Sequence, residues 1–158
     1  MPLHTIAAMS KDRIIGSNGT MPWHIPEEAR LFRDITMGNT VIMGRNTWLS
    51  LPERFRPLPD RVNIIVSATI GRQEGAIVCT SVDAAIKEAA SHSGEAFCIG
   101  GAKLFDEMLP LSDVLHISWI KADYQGDTRF PEINFNEWRV VESKEYKEFT
   151  YKKYLRSK

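Results

Sequence analysis

Residues 21–35 read MPWHIPEEARLFRDI, and they open the first helix of what becomes an alternating series. Pro26 suits the first helical position, where its missing N–H removes no hydrogen bond and its φ is already helical. From there Glu28, Leu31, Phe32 and Ile35 recur at i, i+3, i+4 and i+7 along one face, while Glu27, Arg30 and Asp34 form a charged surface. A carboxylate on the stripe that carries Leu, Phe and Ile is the anomaly. Burying it unpaired is expensive, so it must reach water or meet a cationic or donor-rich partner. The stretch alone allows two equal readings of Glu28: a rim carboxylate helped by the helix N-terminus, or a functional group in a cleft.

Upstream, LHTIAAM (Leu3–Met9) is an apolar run suited to a buried strand. A brief apolar Ile14-Ile15-Gly16 precedes Ser17-Asn18-Gly19-Thr20, whose Asn-Gly pair signals a turn. That polar loop runs straight into Met21-Pro22-Trp23 and is either plain surface or a movable lid. Downstream, Met37-Gly38-Asn39 stops the helix and TVIM (40–43) reads as a second buried strand. It ends in Gly44-Arg45-Asn46-Thr47-Trp48, a strand-to-helix turn whose free N–H groups, guanidinium and hydroxyl suit a phosphate. LPERFRPLPD (51–60) is a rigid, three-proline loop, and strands are expected at 64–66 and 76–79. Ser81 is the expected N-cap of a helix with the body AAIKEAA. A strand at 96–99 leads into IGGAKLF (99–105), where adjacent glycines allow close backbone approach to a flat or anionic ligand. The following helix stops before Pro110.

Residues 113–120 alternate, with Val114, His116, Ser118 and Ile120 on one face and Leu115, Ile117 and Trp119 on the other. Residues 123–131 read as a polar loop. Residues 137–145 and 149–155 form an antiparallel hairpin about Lys147-Glu148, with Tyr146, Phe149, Tyr151 and Tyr154 packing the sheet. The fold class implied is α/β: residues 1–158 as one domain, a central, mostly parallel twisted sheet, an antiparallel C-terminal hairpin and about four flanking helices. The two Gly-containing turns then lie at strand carboxyl ends, where such sheets bind ligands. Two phosphate-suited turns make a dinucleotide the natural ligand, with Glu28 facing a second, cationic or amidine-like one.

Lys plus Arg equals Asp plus Glu, 20 each, so no global basic field draws the chain to nucleic acid or to a membrane surface. Cys79 and Cys98 lie in apolar, strand-like runs and match no metal spacing, so no metal is expected. The first residues carry no secretory pattern and no apolar stretch is long enough to span a bilayer, which makes the cytoplasm the expected location.

Six blocks stand in one order: IAAMSKDRIIG, NGTMPWHIPEEARLF, VIMGRNTW, RPLPDRVNIIVS, IGGAKLF and GDTRFP. Together, from about Leu3 to Pro131, they resemble dihydrofolate reductase. That resemblance implies NADPH-dependent reduction of dihydrofolate to tetrahydrofolate, with antifolate inhibitors as further ligands and a monomeric state. It implies that Glu28 is the family's single buried carboxylate, which orients and polarises the pterin while water carries the proton, that Trp23 positions a water beside it, and that Met21 and residues 18–20 belong to a mobile loop closing on the nicotinamide. Ile6, Ala7, Phe32, Leu51, Leu58 and Ser118 match substrate contacts, and Arg61 matches the arginine that grips the α-carboxylate of the glutamate tail. Ala8, Ile15, Gly16, Asn18, Gly44, Arg45, Asn46, Thr47 and Ser67 match the cofactor site, as do Ile99, Gly100, Gly101, Ala102, Lys103 and Leu104. Asp127 and Thr128 match a loop that supports the mobile one.

The chain departs from the family pattern in places. Ser118 replaces a usual threonine, though its hydroxyl can still bond to Glu28. Glu28 replaces the aspartate common in bacterial members, and Lys103 keeps the charge but not the fork of an arginine. Ala68 follows Ser67 where a second polar residue often holds the 2′-phosphate, so preference for NADPH leans on Arg45, Ser67 and Thr69. His116, two residues from Ser118, is expected to border the substrate cleft, and His24 to be a loop residue. Two other functions fit the architecture: a riboflavin-biosynthesis reductase and a non-catalytic folate- or nucleotide-binding protein. Glu28 on the helix and Arg61 after RPLP favour folate.

Overall fold

Short runs with no polar alternation, such as VIM at 41–43 and IIV at 64–66, have no face to give to water, and both become parallel strands covered on each side. In the computed structural model, which describes residues 2–16 and 21–157, Val41, Ile42, Met43, Ile64 and Ile65 are fully buried. The order is β1 (Leu3–Met9), β2 (Ile14–Gly16), α1 (Pro26–Thr36), β3 (Thr40–Gly44), α2 (Arg45–Ser50), β4 (Val62–Val66), β5 (Ile77–Cys79) and α3 (Val82–Ala90). It continues through β6 (Ala96–Gly100), α4 (Ala102–Met108), β7 (Val114–Ile120), β8 (Thr128–Arg129), β9 (Trp138–Glu145) and β10 (Phe149–Arg156). Eight strands form one sheet in the order β5-β4-β3-β6-β1-β7-β10-β9. All pairings are parallel through β7, and β10 runs antiparallel to both β7 and β9, as the sequence predicts. Ser81 caps α3, its hydroxyl accepting from the Ala84 N–H at 3.1 Å.

One sheet face is covered by α3 and α4, whose Ala85, Ala89, Leu104, Phe105 and Met108 pack with Ile42, Ile64, Cys98, Leu115 and Ile117. The opposite face carries two separate apolar clusters. Trp48 of α2 packs with Val41, Met43 and Ile65, while Leu31 and Ile35 of α1 pack with Ile120, Phe149 and Tyr151. The first lies over β3, β4 and β6 and the second over β1, β7 and β10, so the cover is interrupted between β6 and β1. Ile6, at the middle of β1, belongs to neither cluster.

This interruption corrects the expectation of a single stripe on α1. All four are half-buried, but Leu31 and Ile35 pack against the core cluster, whereas Glu28 and Phe32, one turn apart, lie on the flank outside it. A second correction concerns residues 14–16 and 123–131. They contain a two-stranded ribbon in which β2 pairs antiparallel with β8. The Phe130 N–H donates to the Arg13 carbonyl at 2.7 Å and the Asp127 N–H to the Gly16 carbonyl at 3.1 Å. A Cβ at Gly126 would overlap that Gly16 carbonyl, which is why glycine stands there. Strands of two and three residues are too short to show a period.

A third correction is His116. It does not border a cleft: it is buried beside its cross-strand neighbour Ile6 and bonded on both sides. Its Nε2 lies 2.8 Å from His4 Nδ1 and its Nδ1 2.8 Å from the Tyr151 hydroxyl. His4 Nε2 lies 3.2 Å from the Glu95 carboxylate, within ion-pair distance but outside hydrogen-bonding alignment. An N–H on that nitrogen faces the negative charge, which leaves His4 Nδ1 to accept from His116 Nε2–H and His116 Nδ1 to accept from Tyr151 O–H. With both rings neutral, both nitrogens of His116 are hydrogen-bonded, and the His4 Nε2–H has the Glu95 carboxylate as an electrostatic neighbour only. Burial, helped by His4 and Lys153, accordingly pushes His116 down to about 3.

Acid should therefore cost this fold stability. Below about pH 6.5 the unfolded chain takes up a proton on His116 that the folded chain refuses until about pH 3. The stability held above the unfolded value is lost as pH falls, by up to about 1.4 kcal/mol per pH unit. Urea unfolding of His116→Phe between pH 4 and 7 is expected to show a flatter pH profile than the parent chain, whatever its stability at neutral pH.

Candidate active site

Two turns set the carboxyl-terminal edge of the sheet. Adjacent pairing of β3 and β6 brings the Gly44 turn against the Gly100-Gly101 turn, so that a Cβ on Gly44 would lie 3.8 Å from both the Gly100 carbonyl oxygen and the Gly101 nitrogen. Helices α2 and α4 begin on Gly44 and Gly101 with no side-chain cap, which leaves their first N–H groups open toward a ligand. Gly100 has φ +104°, and a Cβ there would strike the Phe105 ring at 2.7 Å, so no other residue fits. A Cβ on Gly101 would touch Thr47 Oγ1 at 3.5 Å, which brings the hydroxyl of one turn to the backbone of the other. The pair suits a dinucleotide with two anionic parts.

Beyond this edge, Arg45 is exposed and its Nη1 donates to Thr69 Oγ1 at 3.3 Å. Ser67 lies beside them, but its oxygen accepts from the N–H groups of Thr69 and Ile70 at 3.3 and 3.0 Å, leaving its own proton to donate. Lys103 and Asn46 are exposed, and Ala102 is half-buried. Ile15 and Ile99 pack partly against the core. Leu104 is corrected: its side chain is buried with α4 in the central core, so it has only backbone to offer. Asn18 and the rest of residues 17–20 lie outside the described residues; Gly16 at the near end is buried and Met21 at the far end is exposed.

Of the substrate-matched residues, Ile6 of β1, Phe32 and Glu28 of α1, and Leu51 and Leu58 at the margin of the α2 cluster lie about the interruption between the two clusters, whereas Ala7 packs on the α3–α4 side of the sheet and the cofactor-matched Ala8 packs against the α1 cluster. The Glu28 carboxyl has no hydrogen bond or ion pair among the described residues, and desolvation alone raises it to about 7. Ser118 faces the same side from β7, but no hydrogen bond joins its hydroxyl to Glu28. Trp23 is buried, its ring edge-on to Tyr124, and its indole N–H has no hydrogen-bond partner among the described residues. An orphaned buried donor costs about 1–3 kcal/mol, so this N–H calls for a water or a ligand oxygen. His24 is exposed in the loop before α1, as expected.

Arg61 stands at the outer end of the gap, half-buried. Its Nε donates to the Pro59 carbonyl at 2.9 Å and its Nη1 to Thr36 Oγ1 at 3.1 Å, and Thr36 in turn donates to the Phe32 carbonyl at 2.8 Å. Desolvation, and Arg33 nearby, lower its pKa although Asp60 opposes them. No carboxylate bridges to it among the described residues, so the guanidinium is oriented but not neutralised.

Three residues of this region were not legible in advance. Thr36 and Asn63 hold Arg61 and its loop, and Trp48 anchors α2 by donating to Gln73 Oε1 at 3.0 Å. A lone Asn among the apolar residues of RVNIIVS was the available signal for Asn63.

The family model for dihydrofolate reductase matches residues 2–156. A dihydrofolate reductase of Bacillus subtilis is 38% identical over 141 residues, covering 89% of this chain and 82% of that protein. One from Neisseria gonorrhoeae is 40% identical over 141 residues, covering 89% and 85%. A solved dihydrofolate reductase from Enterococcus faecalis, complexed with NADP(H) and RAB-propyl, superposes with a TM-score of 0.88 at 32% identity, covering 99% of this chain and 97% of that one.

The raised Glu28 carboxyl makes a prediction about stability. Between its ordinary 4.5 and about 7 the folded state keeps a proton that the unfolded state has lost, so its contribution is full below 4.5 and gone above 7. At pH 8 the ligand-free fold carries an unpartnered, desolvated charge. Glu28→Gln is expected to raise the melting temperature of ligand-free protein at pH 8, by on the order of 1–3 kcal/mol of stability, and to have little effect at pH 4.5.

Proposed function

Because the chain belongs to the dihydrofolate reductase family and reduces dihydrofolate to tetrahydrofolate with NADPH, we propose that Glu28 is the group that orients and polarises the pterin. The observation that supports this is a desolvated carboxyl on the flank of α1 with no partner among the described residues. A carboxylate there accepts two hydrogen bonds, from the pterin 2-amino group and the adjacent ring N–H, and so fixes the ring's orientation. Its negative charge in an apolar cleft favours the protonated, more electrophilic imine. Glu28 does not itself deliver the proton: the unpartnered Trp23 N–H supports an ordered water beside it, and water carries the proton to the ring nitrogen next to the receiving carbon.

NADPH supplies the hydride. The Gly44 and Gly100-Gly101 turns, with Thr47, suit its pyrophosphate, and Arg45 with Ser67 and Thr69 suits the 2′-phosphate. Met21, exposed beside this edge, is the residue proposed to cover the nicotinamide and exclude bulk water. Ile6, Phe32, Leu51 and Leu58 hold the pterin and benzoyl rings, and Arg61 takes the glutamate α-carboxylate. The family assignment sets aside a ribosyl-pyrimidine substrate. We further propose a cytoplasmic monomer with no nucleic-acid partner, in keeping with equal numbers of basic and acidic residues.

NADPH oxidation followed with dihydrofolate tests the assignment. Glu28→Gln should fold and lose turnover by on the order of 100-fold or more, most of all at pH 7 and above, where little substrate carries its own proton; wild-type turnover at pH 7 would overturn the role of Glu28. Arg61→Ala should act mainly on KM for dihydrofolate, and an effect on kcat alone would refute its grip on the tail.

A further inference from the structure

The loop that carries Leu58 and Arg61 closes around a single buried amide. Asn63, at the second position of β4 and 2% exposed, uses its side chain as a substitute backbone. Its Oδ1 accepts from the Leu58 N–H at 2.9 Å, and its Nδ2 donates to the Leu58 and Arg61 carbonyls, both at 3.0 Å. The loop's other fixings are the Arg61 Nε bond to the Pro59 carbonyl at 2.9 Å, the Gly38 N–H donating to the Asp60 carbonyl at 2.9 Å and the Val62 N–H donating to the Asn39 carbonyl at 3.0 Å, with Asp60 at φ +59°. Both residues that Asn63 grips belong to the proposed substrate site. One packs at the margin of the α2 cluster, where the benzoyl ring would lie, and the other carries the unneutralised guanidinium. The outer grip on that guanidinium comes from Thr36 of α1, so its position is set by two elements on opposite sides of the gap.

We infer that Asn63 is a positioning residue for the tail of the substrate: it holds the spacing between Leu58 and Arg61 and thereby sets selectivity for pterins bearing a benzoylglutamate tail over those without one. The inference rests on the proposed tail-binding role of Arg61. Aspartate at this position would keep the acceptor for the Leu58 N–H but lose both donors, leaving two carbonyl oxygens facing a carboxylate. Alanine would lose all three bonds. A loop freed in this way moves Arg61 relative to the rings without touching Glu28 or the cofactor turns.

The test compares dihydrofolate with a tail-less substrate, 6-methyl-7,8-dihydropterin, at saturating NADPH, in Asn63→Asp, Asn63→Ala, Arg61→Ala and the double variant Arg61→Ala/Asn63→Asp. The Asn63 variants are expected to raise KM for dihydrofolate about tenfold, the loss from one charge-assisted bond, with kcat and the tail-less KM within about twofold. The double variant should lose no more than Arg61→Ala alone, since Asn63 acts through Arg61. Equal losses on both substrates, no loss on either, an additive double variant, or failure of both Asn63 variants to turn over the tail-less substrate would each overturn the inference. If Arg61→Ala itself shows no selective loss on dihydrofolate, the tail-binding role fails and this inference with it. If Arg61→Ala is selective and the Asn63 variants are not, the inference fails alone.

Discussion

Burial of the inner parallel strands on both faces is the constraint from which the rest follows. An apolar strand in the middle of such a sheet must be covered twice, and four short helices do not suffice to cover eight strands without a seam. On the α3–α4 side the cover is continuous. On the other side α1 and α2 each gather their own cluster, and the seam falls between β6 and β1. The cleft is thus what remains when two helices pack well on neighbouring parts of one sheet. Its location at the carboxyl ends of β1, β3 and β6 also places it beside the two glycine turns.

Charge within the seam is arranged by the same burial. The acid is raised and the base lowered, each because desolvation disfavours its charged form. In a structural ion pair the two would face each other and both shifts would reverse. Among the described residues Glu28 meets no cation and Arg61 forms no ion pair, Asp60 acting on it only through its field, so each retains an electrostatic demand. A substrate with a cationic or amidine-like ring at one end and a carboxylate at the other meets both demands at once.

How much of this was visible in the residues depends on the length scale of each signal. Strands 40–43 and 64–66, the Ser81 cap and the terminal hairpin were legible because composition and capping act locally. Glu28 was legible as an anomaly, but its periodicity with Leu31 and Ile35 hid the fact that the stripe divides. The roughly 100° between successive residues separates the line of Leu31 and Ile35, which packs on the core, from the line of Glu28 and Phe32, which stays on the flank. The β2–β8 ribbon joins residues far apart in the chain through three- and two-residue strands, below the reach of any period. Asn63 and Thr36 act on Arg61 through hydrogen bonds that only the tertiary fold creates. His116 misled because alternation gives the face of a strand, and not whether that stretch of the face is open or covered.

The His4–His116–Tyr151 chain has a bearing on how such a sheet can change over generations. Each of its hydrogen bonds has an assigned direction: Tyr151 donates to His116, His116 donates to His4, and His4 turns its remaining N–H toward Glu95. Replacing His116 by an apolar residue leaves a ring nitrogen of His4 and the Tyr151 hydroxyl unpaired in the interior, at about 1–3 kcal/mol each. Replacing all three by hydrocarbon side chains leaves nothing unpaired. The trio therefore stands as a unit: a sequence with all three or with none leaves no ring nitrogen or hydroxyl unpaired by the exchange, and a sequence with only part of it does.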